Sequence, residues 1–458
     1  MKATCSPRSL SVGMAMFATV AMAAVDGVMA AESNQKIAFE SYRLKNGLNV
    51  ILHEDHRLPL VTVNIWYYVG SKDEAKGRSG FAHLFEHLMF MGTEEVPRGR
   101  FDTTIESLGG SNNATTSQDR TNYFDWGPAN MLETLLYLEA DRMKAFGRGI
   151  TQAKLDTQRE VVRNERRQRY ENRPYGQAFL EIFPHIYPPG HPYHQPVIGS
   201  HEDLENATVQ DVTDFFARFY VPNNASLVVA GDFDPTRARE WIEKYFGVIE
   251  RSENPRHASA SAVSLDRQIS IELSDHVPTP RTQFIYTSPA FYKDGDADLD
   301  VASYILGDGK SSRLYKRLVF DKELAQSVSA SQWSSLLGSV YIVEATARPG
   351  VELADLEKEI DAIIAEFLAA PPTKREVQRA RNQVEMSFWH EVETLRGRAD
   401  LLNRYQFYYH DPGAIEKDTA RYAGVTQESV HGWAKKVFGA KGRLIIRVHP
   451  KLPAPPPG

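Results

Sequence analysis

Between Tyr42 and Val69 apolar and polar residues alternate with the two-residue period of a half-buried sheet, and Asn46-Gly47 falls between the first two runs. That dipeptide is a tight-turn signal, so the pattern predicts a hairpin over 42–55, followed by a strand over 61–69 rich in β-branched and aromatic residues. A polar loop, 71–80, leads into Phe81-Ala-His-Leu-Phe-Glu-His-Leu88, where the period changes to that of a helix. At about 100° per residue, Phe81, Leu84, Phe85 and Leu88 share one side and His83, Glu86 and His87 the other. Downstream the pattern predicts a short helix over 100–108 ending at Gly109-Gly110, strands over 111–117 and 121–126, and a helix from Pro128, with proline in its first position, through Met143. The segment 155–169 reads as an amphipathic helix in which Val161 and Val162 set the apolar direction, Gln158 and Glu165 lie along it, and Glu160 points away.

The pattern then repeats. Residues 208–231 and 426–448 share a polar start, an amphipathic helix, a short turn and a β-rich strand, and aligning Val212 with Val430 gives an offset of 218. Laying 82–87 over 302–307 gives 220, nearly the same value, which argues for duplicated halves. On that alignment the second half carries Ser303, Leu306 and Gly307, a scaffold with no metal ligands. The interruption is a Ser/Ala-rich run with Asn254-Pro255 at 251–267. Beyond it the pattern predicts strands at 268–273 and 282–287, helices at 299–306 and 311–320, a strand-rich stretch at 328–348, and long helices at 351–368 and 374–396. The expected fold class is therefore α+β. Two duplicated α/β-roll domains, 31–250 and 268–451, each pack helices on one face of an antiparallel-rich sheet.

Composition narrows the function. The 458 residues are 42% hydrophobic and 24% charged with a net charge of −6, which gives no electrostatic case for nucleic acid. Lys2 and Arg8, an apolar run from Leu10 to Val25 and small residues ending at Ala30 predict a cleaved signal peptide, 1–30, and a periplasmic or secreted product. Cys5, the only cysteine, precedes the apolar run, so disulfides and lipid attachment are not expected. No later stretch is apolar enough to span a bilayer. Residues 452–458 are expected to form a proline-rich mobile tail.

The chemistry sits on the 81–88 helix. Histidines at i and i+4 are neighbours on a helix surface and both reach one ion, and zinc accepts neutral imidazole. Glu86, beside that ion without being needed to hold it, suits the role of general base. A third ligand is expected from a carboxylate on an inward face, which points to Glu165. An ion pair with Arg163 or Arg166 is the alternative, but those side chains project from other faces. His185, His191 and His194 lie in a proline-rich loop and are not expected to bind metal.

His83-x-x-Glu86-His87, with Glu165 after 77 intervening residues, resembles the pitrilysin or insulinase family of zinc metallopeptidases, which includes the mitochondrial processing peptidase. The resemblance implies one Zn2+ per chain on His83, His87 and Glu165, an endopeptidase activity on peptides or unfolded segments with Glu86 as general base, and substrate binding along an edge strand at Asn113, Ala114 and Thr115. Gln158 stands where members commonly carry a supporting glutamate. An arginine and a tyrosine seven residues apart are usual in the facing domain, but here Val319 and Gln326 occupy those places. A clam-like heterodimer is therefore expected, with a homologous subunit that lacks the zinc triad and supplies the pair. The rival readings are a non-catalytic assembly subunit on the same fold and a zinc-binding carrier, which would not need Glu86.

Overall fold

The computed structural model describes residues 37–451, so the expected leader and tail lie outside the described residues. Strands β1 (Glu40–Arg43), β2 (Asn49–Glu54), β3 (Leu60–Tyr67), β4 (Ser111–Thr116), β5 (Thr121–Pro128) and β6 (Ala225–Gly231) form one sheet in the order β1-β2-β6-β3-β5-β4. Strands β7 (Ile269–Asp275), β8 (Arg281–Ser288), β9 (Ala325–Trp333), β10 (Ser339–Ala347) and β11 (Leu444–Pro450) form the other, in the order β7-β11-β8-β10-β9. Without β1 the two orders coincide. In each, the last strand of the half inserts parallel to the first and antiparallel to the second: β6 between β2 and β3, β11 between β7 and β8. The expected α+β class with duplicated halves is what the chain adopts.

Each sheet covers one face with its own helices. Leu84, Phe85, Leu135, Val212 and Ile242 pack with Val50, Val63 and Val229 in the first half, while Leu299, Ile305, Ile360 and Val430 pack with Phe284 and Val343 in the second. The opposite faces are covered by exchange. Ile51, Val228 and Ala230 of the first sheet pack against Ala399 and Leu402, from the second-half helix Leu395–Tyr409. Ile285, Ile342, Leu444 and Ile446 of the second sheet pack against Ala178, Ile182 and Ile186, from the first-half helix Gly176–Ile186. Burying each such Ile, Val or Leu contributes about 1.5–3 kcal/mol relative to leaving it in water, so neither sheet face is stable uncovered.

Polar contacts pin the exchange. Asn403, fully buried, donates from Nδ2 to the Asn64 carbonyl (2.9 Å) and accepts from the Ser226 hydroxyl (2.6 Å). Arg398 donates from Nε to His53 Nε2 (2.9 Å) and pairs with Asp55.

Three sequence expectations are corrected. Pro128 ends β5 opposite Leu60 instead of opening a helix, because the chain passes through a 3₁₀ turn, Ala129–Met131, before the helix Leu132–Gly149 begins. Val161 is 42% exposed, because the buried stripe of its helix runs through Leu155 and Val162 with Gln158 and Glu165 between and beyond them, leaving Val161 turned to solvent. The helix matching 81–88 is Asp296–Leu306, and both follow a left-handed glycine, Gly80 and Gly295. Counted from those glycines the offset is 215, which places Asp298, Val301 and Ala302 opposite His83, Glu86 and His87; the second half still lacks the metal-ligand pattern.

Asn403→Ala is expected to lower unfolding free energy by about 2 kcal/mol, since it strands a buried carbonyl and hydroxyl. Urea denaturation checks this, and a change within error would show that the inter-half contact carries little.

Candidate metal centre

The helix Phe81–Leu88 starts at Gly80, whose φ of +86° is strained for any other residue. The Glu74 carboxylate caps this end, accepting the Gly80 N–H (3.1 Å) and the Ala82 N–H (2.8 Å) where the positive end of the helix dipole favours it. Phe85 anchors the buried side against Tyr220, with ring centroids 4.3 Å apart. The helix Gln152–Arg166 starts at Thr151, whose side chain accepts the Lys154 N–H (3.3 Å). Lys154 Nζ then donates to the Gly92 carbonyl (3.0 Å), tying this helix to the loop that follows the first.

These two helices bring His83, His87 and Glu165 together. Glu165 Oε2 lies 3.1 Å from His87 Nε2 and 3.7 Å from His83 Nε2, and one ligand atom from each residue falls within 4.8 Å of the others. Tetrahedral ligands at about 2.0–2.2 Å from an ion stand roughly 3.3–3.6 Å apart, so the spacing suits one small ion. The electrostatics suit it as well. Burial, helped by the His87 charge, pushes the His83 imidazole down to about 4, which keeps it neutral at pH 7 as a ligand must be. Burial pushes the Glu165 carboxyl up, but the His87 hydrogen bond and the charges of His83, His87 and Arg169 outweigh it, and the net shift is downward. His83 Nδ1 is buried with no hydrogen-bond partner, so Nε2 is the ring nitrogen that faces the other two ligands. Two imidazole nitrogens and one carboxylate form a donor set for zinc, and the residues present fit it.

Glu86 stands beside the cluster. Its Oε2 accepts the Thr116 hydroxyl at 2.5 Å, and burial raises its pKa against the opposing pull of Thr116, His87 and Arg120. Glu165 also has an arginine after all: Arg169, one turn further on, places Nε 3.0 Å from Oε1. Arg163 and Arg166 pair elsewhere, with Glu160 and Glu171. The i+4 spacing of Arg169 was readable in the sequence. Thr116 and Glu74 were not, because only the tertiary fold brings them to this helix.

Strand β4 is an edge of its sheet. The Ser117 N–H donates to the Arg120 carbonyl (2.9 Å), so by alternation residues 113 and 115 turn their main chain to β5 while 112, 114 and 116 turn theirs outward. The outward N–H of Ala114 is held by the Asn113 side chain (2.8 Å), and Arg120 Nη1 donates to the Thr115 carbonyl (2.9 Å). Gln158 contacts the Met91 sulfur (2.9 Å) instead of a triad member. His185 and His194 bond the carbonyls of Glu181 and Tyr187, and the only metal-ligand grouping among the described residues is the triad.

His83, Glu165 and Arg169 open onto a cavity of about 490 Å³ lined by Tyr170, Phe179, Phe183 and Tyr187, and by Trp333 to Ser335 of the second half. At the places expected for the arginine and tyrosine, Val319 lies in the segment Tyr315–Asp321, and Gln326 donates to the Ala347 carbonyl (3.0 Å).

Residues 49–185 match "Insulinase (Peptidase family M16)" and residues 206–384 match "Peptidase M16 inactive domain". The zinc protease PqqE of Helicobacter pylori is 31% identical over 372 residues, covering 80% of this chain and 83% of that protein. The crystal structure of a protease from Helicobacter pylori superposes with a TM-score of 0.84 at 28% identity, covering 91% of this chain and all of the other. The periplasmic protease PqqL from Escherichia coli superposes with a TM-score of 0.74 at 17% identity, and this fold covers 47% of its full chain. With the match running through both halves, the chain belongs to the insulinase family of peptidases, M16.

Proposed function

We propose that the chain is an exported zinc-dependent endopeptidase acting on peptides or unfolded segments, and that it is the catalytic subunit of a heterodimer. The observation that carries this reading is the convergence of His83, His87 and Glu165 with Glu86 beside them. The name zinc protease borne by relatives points the same way. On this reading the zinc-bearing domain is 31–250 and the metal-free one is 268–451, on either side of a linker, 251–267, with no helix or strand.

Zinc held by His83, His87 and Glu165 would supply the positive charge that acidifies water and polarises a carbonyl at neutral pH. The chain's own residues do the rest. Glu86 takes the proton of the attacking water on its carboxylate and hands it to the leaving amine, and Thr116 holds that carboxylate in orientation through Oε2. The burial that raises its pKa favours the protonated half of this cycle. An extended peptide adds to the β4 edge through the outward main-chain groups of 112, 114 and 116, once the Asn113 side chain releases the Ala114 N–H. Of the expected Asn113, Ala114 and Thr115, Ala114 thus offers its main chain to substrate and Asn113 controls its release, while Arg120 holds the Thr115 carbonyl from behind. The aromatic cavity receives a substrate side chain. Gln158, bonded to Met91, acts on the centre only through the loop after the metal helix.

The arginine and tyrosine expected in the facing domain are not at their places, where Val319 and Gln326 stand. Arg404 and Tyr405, a rival pair without that spacing, are committed to Glu391 (2.8 Å) and Asp418 (2.9 Å). This supports a partner that brings an arginine and a tyrosine, and a PqqL chain about twice this length leaves room for a second unit of the same kind. Export is supported by the leader in the sequence and by the periplasmic relative. No helix among the described residues is long and apolar enough to cross a membrane. The second reading, a non-catalytic assembly subunit, draws on the "inactive domain" description of residues 206–384.

Glu86→Gln is expected to keep one zinc per chain and lose peptide hydrolysis by about 10²- to 10⁴-fold. Metal analysis and peptide turnover on the same sample check it; unchanged turnover removes Glu86 from the mechanism. Adding a homologous subunit that carries the Arg/Tyr pair is expected to raise kcat/KM by about 10²- to 10³-fold. A rate the partner does not raise ends the heterodimer reading, and a chain inert with and without partner favours the assembly subunit.

A further inference from the structure

The turn joining β9 to β10, residues 334–338, reaches out of the second half and ends at the metal centre, where Trp333, Ser334, Ser335 and Gly338 line the same cavity as His83 and Glu165. A polar latch on the first half holds it. The Leu336 N–H donates to Asp119 Oδ2 (2.8 Å), and the Leu337 N–H donates to the Tyr193 hydroxyl (3.0 Å), which in turn donates to Asp119 Oδ1. The Tyr187 hydroxyl donates to the Gly338 carbonyl (3.1 Å). Asp119 and Tyr193 are 3% and 1% exposed, so water does not compete for these bonds. Gly338 has φ +139°, a conformation that restricts this turn to glycine.

Both tyrosines come from the proline-rich loop that also carries His185, His191 and His194. There the histidines brace the tyrosines: the His191 ring stacks on Tyr187 with centroids 4.6 Å apart, His191 Nδ1 accepts the Tyr193 N–H (3.0 Å), and His194 Nδ1 bonds the Tyr187 carbonyl (2.7 Å). The loop is a socket for the second half. Its occupant carries Trp333, which leans on Phe179 and Phe183 with centroids 5.2 and 6.4 Å away.

We propose that Asp119, Tyr193 and Tyr187 are positioning residues that fix how far the Trp333 wall stands from the metal centre, and so set the size of the side chain admitted beside the scissile bond. Asp119 and Tyr193 do not line the cavity, and Tyr187, which does, acts here through its hydroxyl on the Gly338 carbonyl. Latched, the wall closes an aromatic cavity suited to one large apolar side chain; released, it lets small and large side chains in with little discrimination. The specificity role rests on the peptidase reading, whereas the latch is a property of the folded chain and is read without turnover.

Tyr193→Phe in the full chain keeps the ring, 5.5 Å from that of Tyr187, and removes the hydroxyl alone. Amide exchange at 334–338 is expected to quicken by about tenfold while that of β6 stays unchanged and zinc content stays at one per chain. The kcat/KM preference for Phe over Ala beside the scissile bond is expected to fall by about tenfold, through KM. Asp119→Asn, which still offers the Leu336 N–H an acceptor, should give a smaller rise in exchange. Unchanged exchange at 334–338 in Tyr193→Phe overturns the latch. Faster exchange with the same Phe/Ala ratio, or an equal loss on every peptide, overturns the specificity role. A wild-type chain inert toward all peptides both with and without the partner sinks the peptidase reading and that role with it, and exchange alone then judges the contact.

Discussion

Neither half of this chain can cover its own sheet. The face formed by Ile51, Val228 and Ala230 needs Leu402, and the face formed by Ile285, Leu444 and Ile446 needs Ile182. This reciprocal burial governs the metal centre as well as the core, because the helix that crosses over, Gly176–Ile186, follows directly on the one that carries Glu165. Between them the chain loosens into a π-helical turn, Arg167–Glu171, and then passes through Tyr175 at φ +63°. That left-handed tyrosine is costly for a residue with a Cβ, and the second half holds it: its N–H donates to Asp275 Oδ2 (2.8 Å) and its hydroxyl to the Thr279 carbonyl (2.8 Å). Glu165 therefore takes its bearing from second-half residues about a hundred positions beyond Tyr175.

The second half thus has a clear physical role. With Asp298, Val301 and Ala302 on its matching helix it shows no metal-ligand grouping among the described residues, yet it contributes the Trp333 wall, the anchor for Tyr175 and the cover for the first sheet. A half without metal ligands can keep its packing faces, since those depend on apolar volume and not on imidazoles.

What could be read in the sequence follows from which interactions have a period. His83, Glu86 and His87 share one helix arc, Glu165 lies on the stripe of another, and both signals survive in a single chain without its fold. The duplicated plan was legible for the same reason, since helix and strand repeat at nearly constant spacing. Val161 misled because adjacent valines cannot share a face, and only Leu155 decides which of them is inward. Pro128 misled because it is equally at home closing a strand. Glu74, Thr116, Asp119 and Tyr193 carry no periodic mark at all. Their partners lie 6, 30, 217 and 144 residues away, and only the finished fold selects them. The exchange of helices escaped for the same reason, because an amphipathic stripe shows that a helix will be covered and not by what.

The exchange also sets an order of events during synthesis. Ala230 completes the first sheet, but Leu402, which closes its open face, is made 172 residues later. At about 5–20 residues per second that is roughly 9–34 s during which an apolar strand surface stands bare on the growing polypeptide. A nascent chain in that state is a client for chaperones, and the first half reaches its final form only after the ribosome has nearly finished the second.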